Sequence, residues 1–311
     1  MLPKGATIFD GGIAKGLQAA AGVRTRVELQ AAAARAVISE AGAVRDAYRR
    51  HAASGVNVLL TNTCSVAPWT QGDDGNQLFS LQECKHINAT NARLAREAAD
   101  AYSGKRRKVR VAGCVAPLAL PAAEVEEGGS LGVEEMEAYV ECVVEAMLPY
   151  VDIWFMKDLG SVAESIDTAE ILCSSSVKPI WASWEVERDE VAAITIAQSG
   201  EPLDRAVLEL LSWVPSMGGM LVNSFDDEIQ KDALVLLRKL VPFGHEAQIG
   251  SYADDDHSLV TEDMYFSSVE KWSGYGATLI GTSACLSPEH IEIIAGRKTR
   301  PQPKKKVHWH R

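Results

Sequence analysis

Short apolar runs and longer amphipathic stretches alternate along this chain at nearly regular intervals. Runs rich in Val, Ile, Leu or aromatic residues occupy 6–10, 56–62, 108–113, 151–156, 178–184, 218–223, 246–251 and 276–281. They are apolar almost throughout, as strands covered on both faces are. Helical spacing of apolar positions follows each of them, over 26–53, 80–103, 132–149, 161–175, 202–213, 227–241, 262–274 and 288–296. Eight β/α units in 311 residues predict an α/β fold, a single (β/α)8 TIM barrel, since that count closes the sheet. The seventh run, His245 to Ser251, is polar for a barrel stave. No linker divides the pattern, so the expected organisation is one barrel over 1–296 and a tail over 297–311.

Composition adds limits. A hydrophobic fraction of 47% and a charged fraction of 23% are those of a globular protein. No apolar run approaches the ~18 residues of a membrane span. The opening Met1-Leu2-Pro3-Lys4-Gly5 leads into a strand without the apolar core of a signal peptide. Six cysteines are scattered without paired spacing, which predicts reduced thiols and a cytoplasmic setting. The tail carries seven cations and no acid. Taking these from the net charge of −11 leaves −18 on the body, which disfavours nucleic acid or an anionic membrane as its partner. With Pro301 and Pro303, the tail reads as a solvated, disordered segment. The partner expected is a small-molecule ligand, and a homo-oligomer stays open.

In a barrel of this kind, functional groups stand where strands end and βα loops begin. The strand ends bring forward Asp10-Gly11-Gly12, Thr61-Asn62-Thr63-Cys64, Cys114, Met156-Lys157-Asp158, Ser183-Trp184-Glu185, Asn223-Ser224, Ser251-Tyr252 and Thr282-Ser283. Loops 66–79 and 115–131 are long enough to cover that face. Lys157 carries the most chemistry. Desolvated in a barrel mouth, a lysine has a lowered pKa and serves as a Schiff-base nucleophile or general base, here with Lys15 and Asp10 nearby. The plainer reading is an ion pair with Asp10, Asp158 or Glu185, because a buried charge needs a partner. The residues alone leave these three partners open. Trp184 and Trp181 are candidates for pocket walls, Trp181 more simply for core. Cys64, Cys114 and Cys285 fall at the same face, as packing thiols or as a relocated soft-metal site. No HExxH, CxxC, Walker loop or GxSxG occurs.

Several segments resemble, in order and spacing, the homocysteine S-methyltransferase family. They are Phe9-Asp10-Gly11-Gly12; Ser54-Gly55-Val56-Asn57 running to Thr61-Asn62-Thr63; Val111-Ala112-Gly113 with Pro117; Val151-Asp152 with Glu164; Trp272 with Gly276-Ala277; and Ser287-Pro288-Glu289-His290-Ile291. In that last unit Ser287 is a natural N-cap, Pro288 suits the first helical position, and Glu289 complements the helix dipole. The resemblance implies a zinc ion held by three cysteine thiolates, which keeps the homocysteine sulfur as a thiolate for attack on an activated methyl group. By position those thiolates fall on Ser224, Ser283 and Ala284, so the zinc site is not expected and no cofactor replaces it. Of two carboxylates that hold the substrate ammonium, Asp10 stands and the strand-four position is Lys157, so the resemblance implies that Lys157 fills that subsite and pairs with Asp10, directly or through one water. The site expected here has Lys157 and Asp10 as its chemically active pair, with Asn62, Thr63, Trp184, Asn223, Ser224 and Ser283 binding the ligand. The functional expectation is a diverged barrel that binds a small ligand or runs altered chemistry. The alternatives are a methyltransferase acting on a sulfur acceptor without the usual zinc site, and a non-catalytic interaction or oligomerisation module.

Overall fold

The computed structural model describes residues 2, 5–13, 34–63, 66–68, 77–104, 107–115, 133–214, 216–224, 226–242, 245–252, 262–281 and 287–297. Its strands are β1 (Thr7–Phe9), β2 (Val58–Leu60), β3 (Arg110–Val115), β4 (Ile153–Met156), β5 (Ile180–Arg188), β6 (Ile194–Ile196), β7 (Met217–Asn223), β8 (Gln248–Tyr252) and β9 (Leu279–Gly281). Its helices are α1 (Ala41–Ser54), α2 (Leu81–Tyr102), α3 (Val133–Met147), α4 (Val162–Ser175), α5 (Leu203–Trp213), α6 (Asp227–Leu240), α7 (Glu262–Gly274) and α8 (Pro288–Ile294). The order β4-β3-β2-β1-β9-β8-β7-β5 is closed by pairing of β4 with β5. All eight contacts are parallel. The result is the single eight-stranded barrel that the apolar runs predict, polar seventh stave included.

Two elements differ from the sequence pattern. β5 continues past the barrel to Arg188 and turns back through β6, an antiparallel hairpin in which Val186 opposes Ile196. The stretch 26–53 is not one helix where it is described. Helical turns at 34–39 are separated from α1 by Glu40, whose backbone leaves the helical region. The basic tail lies outside the described residues beyond Arg297, as do loop 115–131 after Val115 and most of 66–79.

The staves are short because side chains take over the ladder where the main chain leaves it. Ile8 N–H donates to Asn57 Oδ1 (2.8 Å), Leu60 N–H to Asp10 Oδ1 (2.6 Å) and Cys114 N–H to Thr61 Oγ1 (2.8 Å). Val111 N–H donates to Asp152 Oδ2 (2.9 Å), and Asp158 N–H to Ser183 Oγ (2.9 Å). Each replaces a backbone acceptor that a buried N–H cannot do without. Helix starts are capped in the same spirit: Ser80 and Glu83 form a reciprocal capping box on α2, and Ser161 and Asp226 cap α4 and α6. Ser287 is the N-cap of α8 and Pro288 its first residue.

Pleat alternation divides the core into two shells. Phe9, Val58, Leu60, Ala112, Cys114, Ile153, Phe155, Trp181, Leu221, Tyr252 and Leu279 fill the barrel interior. Their neighbours in sequence, such as Ile8, Leu59, Val111, Trp154, Trp184 and Val222, pack outward under the helices. Inside, Phe9 meets Phe155 and Trp181 edge-on, with ring centroids 6.0 and 5.7 Å away. A methyl group added at Gly281 would overlap the Phe9 ring and Tyr252 Cβ, so β9 comes close only because it ends in glycine.

Candidate functional site

Above this apolar floor, the ends of β4, β5, β7 and β8 form one continuous arc of the mouth. Lys157 follows Ile153 and Phe155 at the inward spacing of β4, and its Nζ stands 5.4 Å from the centre of the Tyr252 ring. The same Nζ pairs with Asp158 Oδ2 at 2.7 Å. Tyr252 Oη donates to the other carboxylate oxygen, Asp158 Oδ1, and lies 3.2 Å from Ser183 Oγ. Ser183 Oγ also receives Asp158 N–H, and Leu159 N–H donates to Ser183 O (2.9 Å). Both oxygens of Asp158 are therefore engaged, by groups 1 and 94 residues away in sequence.

Asp158 is held with φ 59°, in the left-handed region that a residue with a Cβ enters at a cost of about 1–2 kcal/mol. Aspartate tolerates it better than most residues, and the bonds to Ser183, Tyr252 and Lys157 hold it there. The pair is only partly shielded, with side-chain exposures of 16% for Lys157 and 30% for Asp158.

The structure corrects the expected pairing of Lys157 with Asp10. Asp10 is 0% exposed, with Oδ1 accepting Leu60 N–H and Oδ2 facing His51 Nδ1 of α1 at 3.4 Å. That contact is within ion-pair distance but lacks hydrogen-bond geometry, and neither atom has a hydrogen bond among the described residues. The reason is local: β1 ends at Phe9, and the Asp10 carboxylate continues the ladder to β2 in place of the main chain. It holds the barrel seam, which leaves the neighbouring Asp158 as the partner of Lys157.

Trp184 also departs from expectation. Phe155 and Trp181 share the interior, whereas Trp184 lies one pleat out of phase and donates from Nε1 to Ser165 Oγ of α4 at 3.1 Å. It walls the space between β5 and α4, not the mouth. Asn223 ends β7 in register with Glu185, 2% exposed, at the inward spacing set by Leu221. Its side chain makes no hydrogen bond among the described residues. Thr63 is buried, donating to Cys114 O (2.7 Å) and touching Thr61 Oγ1 (2.7 Å). Asn62 N–H is held by Tyr48 Oη and Asn91 Oδ1, both at 3.0 Å, while its buried Nδ2 has no partner among the described residues. Ser283, Ala284, Cys285, Cys64 and Lys15 lie outside the described residues.

Asp158, Tyr252 and Ser183 are the mouth residues that the sequence did not single out as a unit. Their position at strand ends was visible, and their mutual bonding was not. Beneath them, Tyr265 of α7 donates to Gly281 O at 2.7 Å, and complete burial pushes its phenol pKa up. Cys114 is a buried part of the barrel interior. A separate groove of about 670 Å³ lies on the outer flank, between 34–39 and the first turns of α2, lined by Arg35, Ile38, Gln82 and His86.

The zinc ion implied by the sequence resemblance requires soft thiolate donors. At the described one of the three positions, Ser224 presents a hydroxyl, and Asp226 N–H lies 3.4 Å from its Oγ. A hydroxyl, with a second hydroxyl and a methyl at the other two positions in the sequence, does not fit that ion. Among the described residues, no group of three or more His, Cys, Asp or Glu is arranged to hold a metal. No helix among them is long and apolar enough to cross a membrane.

Comparison with known proteins gives a consistent picture. The sequence profile described as homocysteine S-methyltransferase matches residues 7–297. No curated protein sequence matches the chain. Among solved structures, the homocysteine methyltransferase MmuM from Escherichia coli is similar in its oxidized and metallated forms. Both have a TM-score of 0.74 at 22% identity, covering 95% of this chain and 97% of that one. Its apo form gives 0.68 at 21% identity, with 95% and 96% covered. The carboxyl transferase domain of pyruvate carboxylase from Rhizobium etli gives 0.52 at 14% identity, covering 95% of this chain and 47% of that one. At these identities the structural likeness speaks for the barrel alone.

Proposed function

This chain belongs to the homocysteine S-methyltransferase family, and from that premise we propose that it is a diverged member whose barrel mouth binds a small ligand without a zinc–thiolate site. The observation that carries this reading is Lys157. Where the family resemblance places a carboxylate for the substrate ammonium, this chain sets an ammonium of its own, held by Asp158 and laid over Tyr252. A second ammonium brought to the same place would be repelled, and Asp10, the other carboxylate of that pair, is committed to Leu60 N–H and faces His51.

Ser224 supports the same reading. A serine hydroxyl is a poor ligand beside thiolate, and without the metal a homocysteine thiol stays largely protonated near neutral pH, given a reference pKa of ~8.5. The mouth retains what a ligand site needs: an inward cation, a buried amide and an ordered phenol above an apolar floor. Its chemistry is that of binding and orienting a small polar molecule, with Lys157 and the Asp158–Tyr252 pair as the groups placed to act on it.

The test has two readouts. Protein purified without chelators or a metal-binding tag is analysed for zinc by mass spectrometry, then assayed with homocysteine and S-methylmethionine, S-adenosylmethionine or betaine. The expected result is zinc far below one per chain and no methionine formed. Stoichiometric zinc with robust turnover overturns the proposal. A ligand-induced thermal shift then separates a binding pocket from an interaction module, since a ligand at 100 times its Kd adds about 2.7 kcal/mol.

A further inference from the structure

We propose that the barrel end opposite the mouth, with the cations Arg107, Lys108, Arg110, Lys178 and Arg297 and the exposed rings of Tyr102 and Trp213, docks single-stranded nucleic acid through its phosphates and stacked bases. Strands begin and helices end at this pole, so the inference is independent of the reading of the mouth.

Hydrogen bonds gather these residues from distant parts of the chain. Arg107 Nη2 donates to Ala52 O (2.9 Å) and to Val56 O, and Arg297 Nη1 donates to Ala53 O, so both guanidiniums stand at the end of α1. Lys178 Nζ donates to Val151 O (2.5 Å) and to Leu148 O, between α3 and β4. Tyr102 ends α2, and the bridge from Gly104 to Arg107 folds the next residues back beside it. Ile180 N–H donates to Ser216 O (3.1 Å), which brings the Trp213 end of α5 alongside the segment that carries Lys178.

The first argument is charge. A backbone carbonyl satisfies a donor and leaves the cation uncancelled. Arg110, half-buried at the start of β3, has no side-chain hydrogen bond or ion pair among the described residues, and burial lowers its pKa. Asp152, the carboxylate nearby, is already met by Arg96 Nη1 at 2.7 Å and Lys108 Nζ at 3.8 Å. Arg107 is depressed by burial and by the neighbouring Arg297, a pair of like charges that an anion would relieve. From Arg297 the sequence continues with six further cations and no acid. The net charge of −11 does not oppose such a face, since salt confines each charge to about 8 Å and the local set decides.

The second argument is the rings. Trp213 is 71% exposed and Tyr102 40%. They end α5 and α2, and the starts of β3, β4 and β5 lie between them around the barrel, with Lys108, Arg110 and Lys178 on that arc. Cations that follow a backbone and exposed rings that accept bases are the two parts of a single-strand platform. An arc of several staves suits an extended polymer better than one small anion. A duplex keeps its bases stacked inside, and an anionic bilayer has phosphates without bases.

The test titrates full-length protein into a fluorescein-labelled oligothymidylate of about 20 nucleotides, followed by anisotropy. Binding should weaken about 100-fold between about 50 and 200 mM salt, the response of about five phosphate contacts on a single strand. Lys108→Ala and Arg110→Ala should each flatten the log–log salt slope by about 0.7. Trp213→Ala should weaken binding about tenfold with the slope unchanged, and Trp213→Phe should keep most of the affinity. If Arg110→Ala lowers the melting temperature, the exposed Lys108 and Trp213 decide. A duplex of equal length should bind more weakly. No binding at about 50 mM salt, full affinity in Trp213→Ala, or an unchanged slope in Lys108→Ala overturns the proposal. So does a duplex bound as tightly as the single strand, or capture by phosphatidylserine vesicles without binding of the oligonucleotide.

Discussion

Replacing Asp158 separates three contributions that the structure superimposes on one residue. Asp158→Asn keeps an oxygen for Tyr252 Oη and tolerates φ 59°, but removes the charge opposite Lys157. Since the pair is partly solvated, the expected loss is about 1 kcal/mol. Asp158→Gly removes both side-chain bonds and at the same time relieves the left-handed backbone, for a net loss of about 1–2 kcal/mol. Asp158→Ala removes the same bonds and keeps the strain, for about 2–4 kcal/mol. The stability order is therefore Asn above Gly above Ala. Urea unfolding followed by circular dichroism reads it, with the denaturant slope checked for constancy so that midpoints report stability. An alanine variant as stable as the glycine variant would show that the backbone is not held in the left-handed region. An asparagine variant as poor as alanine would show that the charge, not the Tyr252 bond, dominates.

Two further outcomes follow from burial. Gly281→Ala should destabilise by about 1–3 kcal/mol or more, because the new methyl meets Phe9 and Tyr252 in a filled interior; a melting temperature equal to wild type would contradict that packing. Alkaline pH should weaken the fold. Burial pushes the Cys84 thiol from 9.0 up to about 12 and raises Tyr265 as well, so both stay neutral in the folded state after the unfolded chain has ionised. Their stabilising contribution is complete below about pH 9 and is lost as pH rises toward 12. Unfolding midpoints measured across that interval should fall, less steeply in Cys84→Ala, and a flat profile would refute the assignment.

The barrel was legible because burial on both faces writes apolar runs into the sequence, and eight such runs admit one closed sheet. Even the polar seventh run obeys the rule once its sides are known. Ser251 turns outward to Gln230 Nε2 at 2.6 Å, and Gly250 makes room for Leu279. The β5–β6 hairpin was not legible, since Glu185 to Arg188 alternates like an exposed surface strand and no turn signal separates it from the stave. At the barrel mouth, Lys157 draws notice in the sequence because a lysine at a strand end is chemically conspicuous. Its partner does not, because Asp158 is oriented by Ser183 and Tyr252, which sequence distance hides. Trp181 and Trp184 show a similar limit. Three residues apart, they fall on opposite faces of one strand, and only the register says which face is inside.

The side chains that replace main-chain acceptors at the stave ends have a consequence for anyone retrofitting this scaffold with new chemistry. Asp10, Thr61 and Ser183 stand at the rim and have the functional groups a designer would reach for, yet each closes a gap between neighbouring staves. Randomising them trades architecture for novelty. Positions 157 and 223 bear no such duty to the ladder, so a focused library has two degrees of freedom there that leave the hoop intact. The same partition separates the side chains that suture the staves from the rim positions that are open to substitution.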